Sequence, residues 1–471
     1  MKSCSEVETK NSSMRQSCRL WNLSIASVLA LTLSNVLLTI RLLNNSESSG
    51  CSYSSADIEA ASGKGSFQTP AACLEYVLSD PFAYNNTEKA VFSGLDLRLG
   101  RWDNRRLYKI FDFAVVGEKF SELTEKYSVC LATQSSLEKI YSLVQVAHHW
   151  TGPISCAIFT AGDDELYVMQ LYLSYLRHCF KPIRERVSFH LVFPKDRAPD
   201  NIKGVHGSDF GKYECSKPEA TLQTLMKFRH SETAKWRIKN PYPQNHLRNV
   251  ARKGCQNANV FLTDVDIIPS VNFTENLDKF LRKAKCSSNQ CAYVIPTYEL
   301  DDRVRFPRNK SDLIRLANKG LARPFHHKVF IYNQFATNFT RWQVDGPEPE
   351  EAHISHNVTN FEFLYEPFYV ANDIVPPHDE RFLGYGYTRN TQVYEMFVAG
   401  YQFQVLSPLF TVHWGLQNKK SRPAWRERQN NVNRKYFEIF KREVFARYHK
   451  DPLKMLVPKK PKRPAGNAVG R

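Results

Sequence analysis

From Tyr127 onward the chain alternates short apolar runs with helically spaced ones, and this alternation limits its folds more than any other feature. Tyr127-Ser128-Val129-Cys130-Leu131-Ala132-Thr133 reads as a strand and Leu137 to Trp150 has helical spacing. Ile154 to Phe159 is a second strand, Leu166 to Cys179 a second helix, and Val187 to Phe193 a third strand. Asn245 to Gly254 predicts another helix, followed by the strand Asn259-Val260-Phe261-Leu262. Strands separated by helices of this length imply crossover connections, hence an α/β domain on a mostly parallel sheet. The C-terminal half is irregular and aromatic, with a basic amphipathic helix expected over Val432 to Tyr448 and no internal repeat.

A second constraint lies at the N-terminus. No charge occurs between Arg19 and Arg41, a length that spans about 30 Å of hydrocarbon as a helix. Lys2, Lys10, Arg15 and Arg19 precede it, and positive residues stay cytosolic. No A-x-A site closes the run, which argues against a cleaved signal peptide. The expected organisation is a cytosolic tail over 1–19 and a transmembrane signal-anchor over 20–40. A stem and accessory segment follows over 41–126, then the main domain over 127–450 and a basic disordered tail over 451–471. Six N-x-S/T sequons follow the span, at Asn44, Asn85, Asn272, Asn309, Asn338 and Asn357, and so do nine of the eleven cysteines. In an oxidising lumen several of these cysteines pair, and an odd number leaves at least one outside an internal bridge.

Composition excludes some classes. Hydrophobic residues are 42% and charged residues 24%, a balance that rules out a fully disordered chain. A mean hydropathy of -0.45 rules out a multi-span membrane protein. The net charge of +17 suits an anionic partner such as phosphate, a membrane face or an acidic sugar. Nucleic acid fits the charge but not a luminal topology.

The sharpest local feature is Val260-Phe261-Leu262-Thr263-Asp264-Val265-Asp266, an apolar strand ending in Asp-x-Asp. Alternation along an extended chain puts the two carboxylates on one side. Together they are hard oxygen ligands for Mg²⁺ or Mn²⁺. Open α/β sheets bind ligands beyond the carboxyl ends of their strands, where a divalent ion can hold a diphosphate. Taken alone, the same pattern also fits a solvated turn.

Further motifs follow in a fixed order. Tyr242-Pro243-Gln244-Asn245-His246-Leu247-Arg248-Asn249 precedes the Asp-x-Asp strand; Val294-Ile295-Pro296-Thr297-Tyr298-Glu299, Thr337-Asn338-Phe339-Thr340-Arg341-Trp342, Tyr365-Glu366-Pro367-Phe368, Asp379-Glu380-Arg381-Phe382-Leu383-Gly384-Tyr385-Gly386 and Val412-His413-Trp414-Gly415 come after it. Over about residues 127–450 this ordered set resembles glycosyltransferase family 49. The resemblance implies a GT-A fold, a Rossmann-like mixed sheet flanked by helices, and a metal-dependent Golgi type II enzyme. Asp264, Asp266 and His413 would hold Mn²⁺ or Mg²⁺. Asn245, Arg248, Asn249, Asp264 and Glu299 would line the UDP-sugar site. Asp379 would be the base, with Glu380 and Glu395 as alternatives. Gly384 and Gly386 would admit substrate closely, and Tyr385 and Tyr387 would stack on sugars or simply pack. The implied reaction is inverting transfer of glucuronic acid from UDP-glucuronic acid to a terminal xylose of an O-mannosyl-type glycan, forming a β1,4 bond on a dystroglycan-like glycoprotein. The competing readings are another donor, such as UDP-N-acetylglucosamine, and an inactive protein that holds acidic glycans; intact Asp264, Asp266 and His413 count against the second.

Overall fold

The computed structural model describes residues 91–286, 290–346, 351–418 and 423–456. The expected signal-anchor, the stem as far as residue 90, sequons Asn44 and Asn85, and the tail from residue 457 lie outside the described residues. Among the described residues no helix is long and apolar enough to cross a membrane.

The predicted strands become the centre of a ten-stranded mixed sheet. In chain order the strands are β1 (Arg101–Trp102), β2 (Tyr108–Val115), β3 (Val129–Ser136), β4 (Ile154–Phe159), β5 (Val187–Pro194), β6 (Asn259–Leu262), β7 (Ile268–Pro269), β8 (Cys291–Ile295), β9 (Thr297–Leu300), β10 (Ala322–Pro324), β11 (His353–Asn357), β12 (Phe368–Asn372), β13 (Gln402–Ser407) and β14 (Thr411–Trp414). The large sheet runs β1-β2-β5-β4-β3-β6-β12-β8-β13-β11, and a smaller one runs β10-β9-β14-β7. β5, β4, β3 and β6 are mutually parallel. Their near-continuous burial is what parallel strands covered on both faces require.

The sheet is less parallel than the alternation suggests. β12 inserts antiparallel between β6 and β8. β2 adds antiparallel to β5, so the residue 101–115 hairpin extends the sheet itself. The helix Gln244–Gly254 seats on this sheet through Leu247, Val250 and Ala251, which join a cluster with Cys130, Ala157 and Leu262. Gly254 permits the close approach, because a Cβ there would strike His190 Nε2 and Ser155 Oγ. The C-terminal helix spans Ala424–Tyr448, starting earlier than Val432, and packs Phe437, Phe440 and Val444 against Phe382 and Tyr394.

Three disulfides occur among the described residues, Cys130–Cys255, Cys179–Cys215 and Cys286–Cys291. Cys156, within β4, is free and buried. Cys130–Cys255 spans 125 residues and ties β3 to the end of the seated helix, so it restricts the unfolded chain most.

Candidate active site at the carboxyl end of the sheet

β6 stops at Leu262, one residue before Thr263 makes its own hydrogen bond to Ala132. The chain then turns, with the Ile267 N–H donating to the Asp264 carbonyl at 3.1 Å. The extended-chain picture of the Asp-x-Asp is therefore corrected: the two carboxylates sit in a turn and meet different partners. Asp264 Oδ1 lies 2.8 Å from Arg389 Nη2 and 3.3 Å from Arg248 Nη2. Asp266 Oδ2 lies 3.6 Å from His413 Nε2 and 3.7 Å from Lys139 Nζ. His413 arrives on β14, which runs parallel to β9 in the smaller sheet. Asp266 and His413 line a cleft of about 820 Å³ together with Lys139, Gln145, Asp302 and Trp414.

The electrostatics separate the two aspartates. Burial opposes the charge of Asp264, but Arg389 and Arg248 outweigh it and hold the carboxyl below its usual range. Asp266 has no contact as close as the 2.8 Å pair at Asp264. Asp266 with His413 Nε2 offers a carboxylate and an imidazole that suit a divalent cation of the Mn²⁺ or Mg²⁺ kind, with the nitrogen favouring Mn²⁺, but among the described residues the ligand atoms of Asp264, Asp266 and His413 do not all fall within 4.8 Å of one another. Donor capacity is also unspent: Arg248 Nε is buried and makes no hydrogen bond. An unused buried guanidinium donor beside a cation site fits an anionic ligand.

The helix before β6 divides its faces. Asn245, Arg248, Asn249 and Arg252 form an i, i+3, i+4, i+7 polar stripe, buried against the 375–380 segment. Asn245 Nδ2 donates to the Asp379 carbonyl at 2.8 Å and Asn249 Nδ2 to the His378 carbonyl at 2.8 Å. Arg252 caps the Val375 and Pro376 carbonyls. Of the stripe, Arg248 reaches Asp264; Asn245 supports it by accepting from Arg248 Nη1 at 3.1 Å, and Asn249 braces the neighbouring loop.

The other expected site carboxylates are occupied by protein donors. Glu299 is fully buried and accepts from Arg323 Nε, the His326 N–H and the Gln417 N–H at 2.8, 2.9 and 3.0 Å. Asp379 is forked by Arg381 at 3.0 Å, and the same guanidinium reaches Glu443 of the C-terminal helix. Glu380 accepts from Asn249 at 3.0 Å. Glu395 pairs with Arg447 and accepts from the Tyr448 hydroxyl; burial pushes its carboxyl up, against the pull of Arg447.

The Gly384-Tyr385-Gly386 turn also departs from expectation. Both glycines have positive φ, and a Cβ at either would strike Gln429 or Asn430. The close approach they permit is to the C-terminal helix, where Asn433 donates to the Leu383 and Gly386 carbonyls. Tyr387 stacks on Phe437 and Tyr385 lies under Arg426. Asn272, Asn309, Asn338 and Asn357 are all exposed. Asn309 and Asn338 cap helices through Oδ1, not through the nitrogen that carries a glycan.

Sequence reasoning missed Arg389, Lys139, His326 and Glu366. Arg389 stacks on Phe368 at 4.2 Å while it meets Asp264. Burial, then His413, pushes the His326 imidazole down to about 4, so it is neutral. Glu366 lies in the field of Arg389, Arg248 and Asp264 and accepts from Asn333 Nδ2 at 3.3 Å; burial pushes its carboxyl up. Glu366 stood inside a quoted motif, and a carboxylate followed by proline ahead of a buried strand was its only signal.

A model of the family described as glycosyl-transferase for dystroglycan matches residues 128–449. Beta-1,4-glucuronyltransferase 1 of Homo sapiens is similar at 31% identity over 359 residues, covering 72% of this chain and 81% of that protein. The protein of the same name from Danio rerio is 28% identical over 366 residues, covering 75% and 83%. Xylosyl- and glucuronyltransferase LARGE1 of Mus musculus is 24% identical over 297 residues, covering 63% of this chain and 32% of that one. A solved structure of GalNAc-T7 with UDP, GalNAc and Mn2+ aligns with a TM-score of 0.34 at 8% identity over 70% of this chain and 52% of that one, too slight a likeness to bear on the fold.

Proposed function

The chain belongs to the glycosyltransferase family described as glycosyl-transferase for dystroglycan, and from that premise we propose that it is a GT-A type, inverting, metal-dependent glucuronyltransferase. Its donor is UDP-glucuronic acid and its acceptor a terminal xylose of an O-mannosyl-type glycan on a dystroglycan-like glycoprotein, joined β1,4. The observation that carries this reading is the turn after β6, where Asp266 faces His413 at the cleft and Asp264 faces Arg248 and Arg389. Asp264, Asp266 and His413 would hold Mn²⁺ or Mg²⁺, which when bound neutralises a diphosphate leaving group.

The chain's own residues do the rest. Arg248, Arg389 and Lys139 balance Asp264, Asp266 and Asp302, so a bound divalent cation would leave this region net positive. That balance favours a donor carrying both a diphosphate and a sugar carboxylate. Arg248 and Arg389 offer forked donors suited to either group. A neutral His326 beside His413 adds no competing charge. The acceptor hydroxyl must lose its proton to a carboxylate. We favour Glu366, supported by its place in the field of both guanidiniums and by the upward push of burial, which suits a group that accepts a proton. Asp379 is the second reading, supported by its motif position and weakened by its Arg381 fork. The uncharged stretch over 20–40, the basic residues before it and the disulfides support a Golgi type II membrane enzyme with a luminal domain.

The test offers the full chain Mn²⁺, a β-xyloside, and UDP-glucuronic acid beside other UDP-sugars. Transfer of glucuronic acid alone, abolished by EDTA, is expected. Transfer from UDP-N-acetylglucosamine instead would discard the donor assignment, and no transfer from any donor would favour a glycan-binding protein.

A further inference from the structure

A second group of ligand-type side chains lies away from the Asp-x-Asp turn. Asp103 precedes β2, His246 sits in the first turn of the Gln244–Gly254 helix, and Glu380 follows β12. Their nearest ligand atoms all fall within 4.8 Å of one another. His246 Nε2 is 3.5 Å from Glu380 Oε2 and 3.7 Å from Asp103 Oδ2. Ligand atoms around a tetrahedral zinc ion stand about 3.3 Å apart, so a small inward movement would close the site.

Two observations make this more than a cluster of acids. The His246 side chain is 1% exposed, and neither ring nitrogen has a hydrogen-bond partner. A buried imidazole with both nitrogens idle is costly unless something absent from the protein engages it. The carboxylates, in turn, are aimed by other groups. Asp103 Oδ1 accepts from the Leu107 and Tyr108 N–H groups at 2.6 and 2.7 Å, and its Oδ2 from the Arg105 N–H at 3.2 Å. Glu380 Oε1 accepts from Asn249 at 3.0 Å, leaving Oε2 turned to His246. Outer hydrogen bonds of this kind orient metal-binding carboxylates.

We propose that Asp103, His246 and Glu380 bind a structural zinc ion, separate from the cation at Asp264, Asp266 and His413. One imidazole and two carboxylates suit zinc, and Glu380, whose side chain is 28% exposed, leaves a fourth position open to water. The ion would join three distant stretches of chain: the edge hairpin, the helix that presents Arg248, and the loop that Asn245 and Asn249 brace. Its effect on transfer would come through the placement of Arg248.

The experiment loads the full chain with zinc, removes loose metal by gel filtration, and counts retained zinc by mass spectrometry. Glu380→Gln keeps the Asn249 hydrogen bond and Asp103→Asn the bonds from Leu107 and Tyr108, at the loss of that from Arg105, while both weaken the ligand; Asp266→Asn controls for the other site. About one zinc per chain is expected in the wild type and in Asp266→Asn, and a small fraction of that in the other two. Zinc should also raise the melting temperature of the wild type by several degrees and leave Glu380→Gln unmoved. A folded wild type that retains no zinc would overturn the proposal. So would zinc that survives in both Asp103→Asn and Glu380→Gln, or zinc that is lost in Asp266→Asn. None of these readouts depends on glycosyl transfer, so they stand or fall apart from the proposed activity.

Discussion

The carboxylates after β6 and those after β12 differ in how fully the protein satisfies them. Asp266 looks into the cleft with His413 Nε2 and Lys139 Nζ at 3.6 and 3.7 Å, and in the same region the buried His413 Nδ1 and Arg248 Nε have no hydrogen-bond partner. Asp379 and Glu395 are instead held by Arg381, Arg447 and Tyr448, two of these from the C-terminal helix. The chemistry of the side chains is the same. Groups left short of partners beside a cleft persist where a ligand completes them. Groups fully paired hold the scaffold.

Substitutions can break this contrast. Asp266→Asn should lower kcat by about a thousandfold while moving the melting temperature of metal-free protein little; a large loss of stability with transfer retained would reverse the roles. Glu366→Gln should lower kcat by about a hundredfold or more, with the acid limb of the pH profile flattened, since a raised carboxyl must ionise before it takes a proton. If Asp379→Asn does this and Glu366→Gln does not, the base lies after β12. Arg389→Lys keeps charge but loses the fork, and should raise the donor KM about tenfold in steady-state assays. Asp379→Asn should cost about 1 kcal/mol of stability by denaturant unfolding and leave donor KM unchanged.

A further effect concerns the edge hairpin. His190 is buried in β5, receives the Phe113 N–H at 3.0 Å and meets Ser155 at 3.0 Å. Burial pushes its imidazole down to about 4. The unfolded chain therefore binds this proton first as pH falls from about 6.5, and stability declines until about pH 4. That loss is on the order of 3 kcal/mol. In His190→Asn the acid slope of stability, followed by urea unfolding across this range, should be shallower.

Much of the scaffold was legible because burial on both faces leaves a mark in the chain. Ile154–Phe159 and Asn259–Leu262 are strands with the bounds read from their apolar runs, and the helix before β6 begins one residue earlier than its pattern suggested. Asp264, Asp266 and His413 were legible as ligand types at a strand end and in an ordered motif. The antiparallel insertion of β12 was not, because pairing direction leaves no local signal in a short buried strand. Nor was the pairing of Asp379: its second link comes through Arg381 to Glu443, 62 residues away. Arg389 and Glu366 reach the site from separate loops, and only the fold brings them to Asp264.

The most direct measurement is calorimetric titration of Mn²⁺ into the full chain with UDP present, for the wild type, Asp266→Asn and Asp379→Asn. Binding by the wild type and Asp379→Asn, absent in Asp266→Asn, is the expected result. Equal binding by Asp266→Asn, or its loss in Asp379→Asn alone, would contradict the assignment of the cation to the turn after β6.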